Sequence, residues 1–165
     1  MKYSGIINCT IVDGEGFRVA LYVSGCKHKC EGCHNVKTWA FDAGKEFTQE
    51  VEDILFDRMS KPYIKGLTLT GGDPLFSADE VLGVVKRFRE RFGNTKDIWL
   101  YTGFTMDEIK NLDEAQKELV NLCDYIVDGK FILSKRNTTL SFRGSENQII
   151  WEKNADGEFE ESELN

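Results

Sequence analysis

Cys26, Cys30 and Cys33 are the residues of this chain best equipped for chemistry. They stand in the run Ser24-Gly25-Cys26-Lys27-His28-Lys29-Cys30-Glu31-Gly32-Cys33-His34-Asn35, a C-x3-C-x2-C spacing with no fourth cysteine nearby. Cysteine thiolates hold iron–sulfur clusters, and a 4Fe–4S cluster of structural or electron-transfer type takes four of them. A triad leaves one iron without a protein ligand, where a small molecule can bind metal directly. The same three thiols also suit a zinc site completed by His28 or His34, or a ferredoxin-like site short of one ligand. Taken singly, each histidine reads as exposed or as a neighbour of ligands.

Further chemically capable residues recur in a regular place. Gly71-Gly72-Asp73-Pro74 follows the β-rich run Gly66–Thr70, and Thr102-Gly103 follows Ile98–Tyr101. Asp128-Gly129-Lys130 follows Tyr125–Val127, and Arg143-Gly144-Ser145 follows Thr139–Phe142. The cysteine run itself follows Arg18–Ser24. Glycines alone would be ordinary strand-to-helix turns. Their repeated company of ionisable and hydroxyl groups predicts one shared site at the carboxyl ends of strands, where parallel α/β folds build their sites. Bare backbone at Gly71-Gly72 would allow close approach of a ligand, and Asp73 offers a carboxylate to an ammonium group.

The elements that must position these residues are legible as alternation. Ala78–Phe92 has one apolar face, a possible capping box of Ser77 with Glu80, and a stop at Gly93-Asn94. Met106–Leu122, opened by Thr105 and Glu108, and Gln49–Met59, capped by Thr48, are the other helical spans. A sixth β-rich run is Gln148–Trp151. Strands alternating with helices predict an α/β fold with parallel strands and crossover helices. About six mostly parallel strands are too few for a closed eight-stranded barrel, so an open, partial (βα) barrel is expected. Residues 1–165 read as one domain, with 152–165, six acidic residues and one lysine, as a frayed tail or a hairpin turning at Ala155-Asp156-Gly157.

Composition narrows the class. The chain has 165 residues, 21 basic against 28 acidic, for a net charge of −7 and no basic stripe, which argues against a nucleic-acid partner. No apolar run is long enough for a membrane, and the N-terminus lacks a signal-peptide core, so a cytoplasmic protein is expected. Five cysteines, three of them crowded, fit metal ligands in a reducing compartment better than a disulfide scaffold. Cys9 and Cys123 read as small buried hydrophobes.

With these residues in place, the chain resembles the radical S-adenosylmethionine superfamily and, within it, the activating proteins of anaerobic ribonucleoside-triphosphate reductases. The matching segments are Asp13–Arg18, Val23–Cys26, Cys33-His34-Asn35, Leu69–Leu75, Trp99–Gly103, Val127–Phe131 and Arg143–Gln148, in family order. The resemblance implies a 4Fe–4S cluster on Cys26, Cys30 and Cys33, with its fourth iron bound by the amino and carboxylate groups of S-adenosylmethionine. It also implies that Gly71, Gly72 and Asp73 meet the methionine amino group and that Gly32 and His34 border the cofactor. Asp128 and Lys130 would contact the methionine carboxylate or a nearby cation, with Thr102 close by. The implied activity is reductive cleavage of S-adenosylmethionine to a 5′-deoxyadenosyl radical that takes hydrogen from a backbone glycine of the reductase large subunit. The implied electron source is a one-electron donor such as flavodoxin. Glu15 stands where relatives often carry proline. The alternatives are a pyruvate formate-lyase type activase, a 7-carboxy-7-deazaguanine synthase, and, outside enzymes, a Cys3His zinc or electron-carrier module.

Overall fold

The computed structural model describes residues 1–165. Its strands are β1 (Lys2–Thr10), β2 (Arg18–Val23), β3 (Lys45–Glu46), β4 (Gly66–Gly71), β5 (Asp97–Tyr101), β6 (Tyr125–Asp128), β7 (Ile149–Lys153) and β8 (Phe159–Glu161). Its helices are α1 (Gln49–Met59), α2 (Ala78–Phe92), α3 (Met106–Ile109) and α4 (Glu114–Asn121). All eight strands join one sheet in the order β3-β1-β2-β4-β5-β6-β7-β8.

The centre, β2-β4-β5-β6, is parallel, as strands separated by crossover helices must be. The flanks are antiparallel, and they account for four of the seven pairings. The sheet therefore has eight strands rather than about six, and parallel pairing is confined to its middle. β1 and β3 escape sequence reading because β1 is broken by Ser4-Gly5 and shifts register twice, while β3 is only two residues long; β8 forms the hairpin expected as one form of the tail. Thr139–Phe142 is not a strand. Asn137 accepts from the Thr139 amide at 2.9 Å, a local turn, and Phe142 takes a left-handed φ of 60°.

Side chains alternate across the sheet. Val19, Leu21, Leu67, Leu69, Ile98, Leu100 and Ile126 point to one face, where the helices bury them with Leu55, Met59, Val81, Val85, Phe88 and Leu119. Phe56, Phe88 and Phe92 meet edge-on or tilted between α1 and α2, with centroids 4.9–6.2 Å apart. Cys123 is fully buried in this core, where burial pushes its thiol up to about 12, whereas Cys9 is exposed rather than buried.

Two local expectations are corrected. Met106–Leu122 is two helices, because Asp113 caps a new start with a reciprocal box to Gln116. Ser77 makes no cap bond, since the turn Pro74–Ser77 runs straight into α2 and Glu80 pairs with the N-terminal ammonium instead. Of its two expected forms the tail takes the hairpin and does not fray. It turns back at Asn154–Gly157, pairs β8 with β7, and ends with Asn165 exchanging two side-chain hydrogen bonds with Ile150, at 2.7 and 2.8 Å. No helix is long and apolar enough to cross a membrane.

The face opposite the helices carries Arg18, Thr68, Thr70, Trp99, Tyr101 and Val127. Arg18 is fully buried there and spends its guanidinium on four neighbours. It donates to Thr68 Oγ1 at 2.8 Å, Leu67 O at 2.9 Å and Glu15 O at 3.0 Å. Nη2 also lies 2.6 Å from Asp97 Oδ1, an ion pair without hydrogen-bond alignment. Trp99 stacks on Tyr125 and lies under Arg18.

Candidate metal centre

Parallel pairing brings the carboxyl ends of β2, β4, β5 and β6 to one border of the sheet. The segments leaving those strands surround a single cavity of about 150 Å³. Cys26, Cys30 and Cys33 line it from the β2 side, Gly71, Gly72 and Asp73 from β4, Thr102 and Gly103 from β5, and Gly129 and Lys130 from β6. Arg143 and Gly144 do not reach it and instead wall a separate cleft of about 540 Å³ on the open face. Tyr101 lines both spaces, and its hydroxyl donates to Phe142 O at 2.9 Å.

The three thiols lie around this cavity and no three Cys, His, Asp or Glu side chains converge on one ion position. Three cysteines at one cavity are the ligand type that an iron–sulfur cluster takes. Burial raises the Cys26 and Cys30 thiols above their ordinary range, Asp73 adding to the shift at Cys26 and Cys33 at Cys30. Iron would have to displace those protons, so loading couples to proton release.

Not every predicted residue arrives. Asp128 is buried, but its oxygens accept from Met106 N at 2.8 Å and Ile149 N at 3.2 Å, joining the start of α3 to β7. It lines a different cavity with Thr105, Met106 and Trp151, and burial raises its carboxyl. Of the Asp128–Lys130 pair, only Lys130 faces the cysteines. Gly32 and His34 also lie outside the lining. Gly32 turns at φ 77° against Leu133, and the His34 ring packs on Phe131 at 5.8 Å. The glycine pair is more structural than expected as well. A Cβ on Gly72 would stand 2.5 Å from Gly25 O, so its bareness first admits the cysteine loop's own backbone. That contact is fixed by Asp73 N donating to Gly25 O at 2.9 Å and Gly72 N to Val23 O at 2.8 Å.

His28 is the residue sequence reading undervalued. Its side chain is only 7% exposed, and Nε2 lies 2.8 Å from Asp73 Oδ2. The partner is 45 positions away, so no local pattern announces it.

Lys130 lines the cavity, and the segments that carry it and the cysteines also hold Lys27, Lys29, Lys37, Lys135 and Arg136, all six exposed, with Glu31 the sole acid in residues 26–37 and 130–136. None of the six bases enters an ion pair. In a chain of net charge −7 this is a local reversal of sign.

A family model described as a 4Fe-4S single cluster domain matches residues 12–151. The anaerobic ribonucleoside-triphosphate reductase-activating protein of Enterobacteria phage T4 is 44% identical over 159 residues, covering 95% of this chain and 97% of that protein. Proteins of the same name from Vibrio cholerae serotype O1 and Escherichia coli strain K12 are 42% and 40% identical, each over 91% of this chain and 97% of their own length.

Proposed function

The chain belongs to the family of anaerobic ribonucleoside-triphosphate reductase-activating proteins and carries a 4Fe–4S domain, and on that premise we propose how its residues perform the activation. Cys26, Cys30 and Cys33 would hold the cluster, and S-adenosylmethionine would bind beside it against the neighbouring strand ends. When bound, the pair would supply the one-electron reductive chemistry by which a hydrogen is removed from a glycine of the reductase. The observation that carries this reading is the meeting of the three thiols with the glycine, hydroxyl and lysine groups of three other strand ends in one cavity.

The residues of this chain bind, orient and shield. Lys130 offers a cation to the cofactor carboxylate, and Thr102 and Gly103 close the β5 side. Strand ends wall the site from several sides, and a bound partner would complete the exclusion of water, which otherwise quenches reactive intermediates. Helices on one face only, around a parallel centre, support an open partial barrel whose uncovered face is reached from solvent. The cleft between Ile11-Val12 and residues 138–144 is the place for an extended glycine-bearing segment of the reductase, because Tyr101 joins it to the cysteine cavity. The test is to mix the reconstituted protein with the reductase large subunit, a reductant and S-adenosylmethionine under anaerobic conditions. A glycyl radical signal on the reductase, with one 5′-deoxyadenosine formed per radical, is the expected result, and cofactor cleavage with no protein radical refutes the activation step.

The six unpaired bases of the cysteine segment and of residues 130–136 give an acidic one-electron donor, such as a flavodoxin, its approach to the cluster. Rim charges of this kind act mainly on encounter. Lys37→Glu combined with Lys135→Glu is expected to raise the KM for such a donor about tenfold and flatten its salt dependence. With a small uncharged photoreductant, turnover of the same variant should match the parent. Equal loss with both reductants would refute this assignment.

A further inference from the structure

From Lys27 to Gly32 the cysteine loop makes one backbone hydrogen bond, accepted by Cys30 O from Cys33 N–H at 3.2 Å. A segment so poorly tied by its own backbone needs a side-chain anchor if it is to hold thiols in place. His28, midway between Cys26 and Cys30, supplies one. Its ring sits between Phe76 and Phe104, with centroids 5.0 and 4.7 Å away. Gly103 is bare beneath it, since a Cβ there would lie 2.4 Å from His28 Cδ2.

The acceptor is equally committed. Asp73 is 1% exposed. Its Oδ2 receives His28 Nε2–H at 2.8 Å, Thr102 Oγ1–H at 2.9 Å and Gly103 N–H at 2.9 Å, while Oδ1 receives Leu75 N–H at 3.0 Å. A carboxylate has about four lone-pair positions. Three bonds crowd the two positions of Oδ2 and one reaches Oδ1, so Oδ2 is filled, and burial of the side chain keeps the rest of Oδ1 from a bulky ammonium group.

We infer that His28 and Asp73 form a latch that joins the cysteine loop to the ends of β4 and β5, with His28 a positioning residue for the cluster and Asp73 its anchor rather than a direct ligand of the cofactor amino group. The inference deepens the proposed reading of this cavity. At the β4 turn, what remains for a cofactor is backbone, and the aspartate acts through the loop it holds.

The test uses His28→Phe, which keeps the ring in its aromatic cage but removes the donor, and His28→Gln, whose amide restores a donor near Nε2. In the full chain without cluster, amide exchange across residues 27–32 and at Gly103 should accelerate in His28→Phe and stay near the parent in His28→Gln. That arm is independent of the proposed function. After anaerobic reconstitution, His28→Phe should show a changed electron paramagnetic resonance spectrum of the reduced cluster and S-adenosylmethionine binding weakened about tenfold, as for loss of an outer-shell partner. His28→Gln should restore both. Asp73→Asn should weaken binding in the parent but add little in the His28→Phe background, because one unit is already broken. An Asp73→Asn loss of equal size in both backgrounds would overturn the latch and make Asp73 a direct ligand. Unchanged exchange, spectrum and binding in His28→Phe would overturn it too. Should His28→Phe fail to fold, a tenfold loss in a folded His28→Gln would do the same. Absence of cluster and cofactor binding in the parent would instead sink the site reading itself.

Discussion

Replacing Cys26, Cys30 or Cys33 with alanine, one at a time, is expected to abolish a normal cluster and reduce S-adenosylmethionine cleavage by about a hundredfold or more. Loss of an outer-shell partner already costs roughly 10–100-fold at metal sites, and loss of a ligand costs more. With only three thiolates there is no spare: Cys9 is exposed on β1, and Cys123 is sealed in the helix-side core with Sγ donating to Leu119 O at 3.2 Å. Neither lines the cavity. Iron and sulfide content, visible absorbance and the reduced-state resonance spectrum check the outcome. Cys9→Ala and Cys123→Ala should keep all three, with Cys123→Ala losing about 1 kcal/mol of stability from its cavity. A competent cluster in Cys30→Ala would contradict the ligand assignment.

Arg18→Met is expected to destabilise the protein by about 3–5 kcal/mol, the usual result of removing one partner from a buried charge pair. Arg18 has no exposed surface, and its departure strands Asp97. That carboxyl is raised by burial even with the guanidinium beside it. Thr68 Oγ1 and the Leu67 and Glu15 carbonyls lose a donor as well. Denaturant melts of the cluster-free protein measure the loss. Arg18→Met with Asp97→Asn should recover part of it, because the stranded charge is gone. An unchanged midpoint for Arg18→Met would show that the network carries no net stability. The same bonds hold the loop 11–17 against the sheet, so the variant should also disturb the cleft wall formed by Ile11 and Val12.

How much of this was legible in the sequence depended on the range of the interaction. The cysteine spacing is local, and so are the apolar faces of Gln49–Met59 and Ala78–Phe92, whose bounds sequence reading placed where the structure has them. Strand-end residues were legible as a pattern because a turn must follow each parallel strand. Which of them faces the cavity was not. Asp128 and Lys130 are two residues apart, yet the first caps a helix start and the second lines the site, a difference set by α3 and β7 packing from either side. His28 could not be ranked above His34 because its partner belongs to another strand end. The short flanking strands carry too few residues to show a period.

Those flanking strands have one more consequence. A sheet of eight strands offers two borders whose free amides and carbonyls could template another chain. Here β3 covers only Lys2 and Tyr3 of β1 at one border, while the other border, Phe159–Glu161, is three residues long and lies in the acidic stretch that also holds Glu158 and Glu163. Like charges on a neighbouring copy would meet edge to edge. The acidic tail, which takes no part in the chemistry, thus sets a charge barrier against pairing at the β8 border.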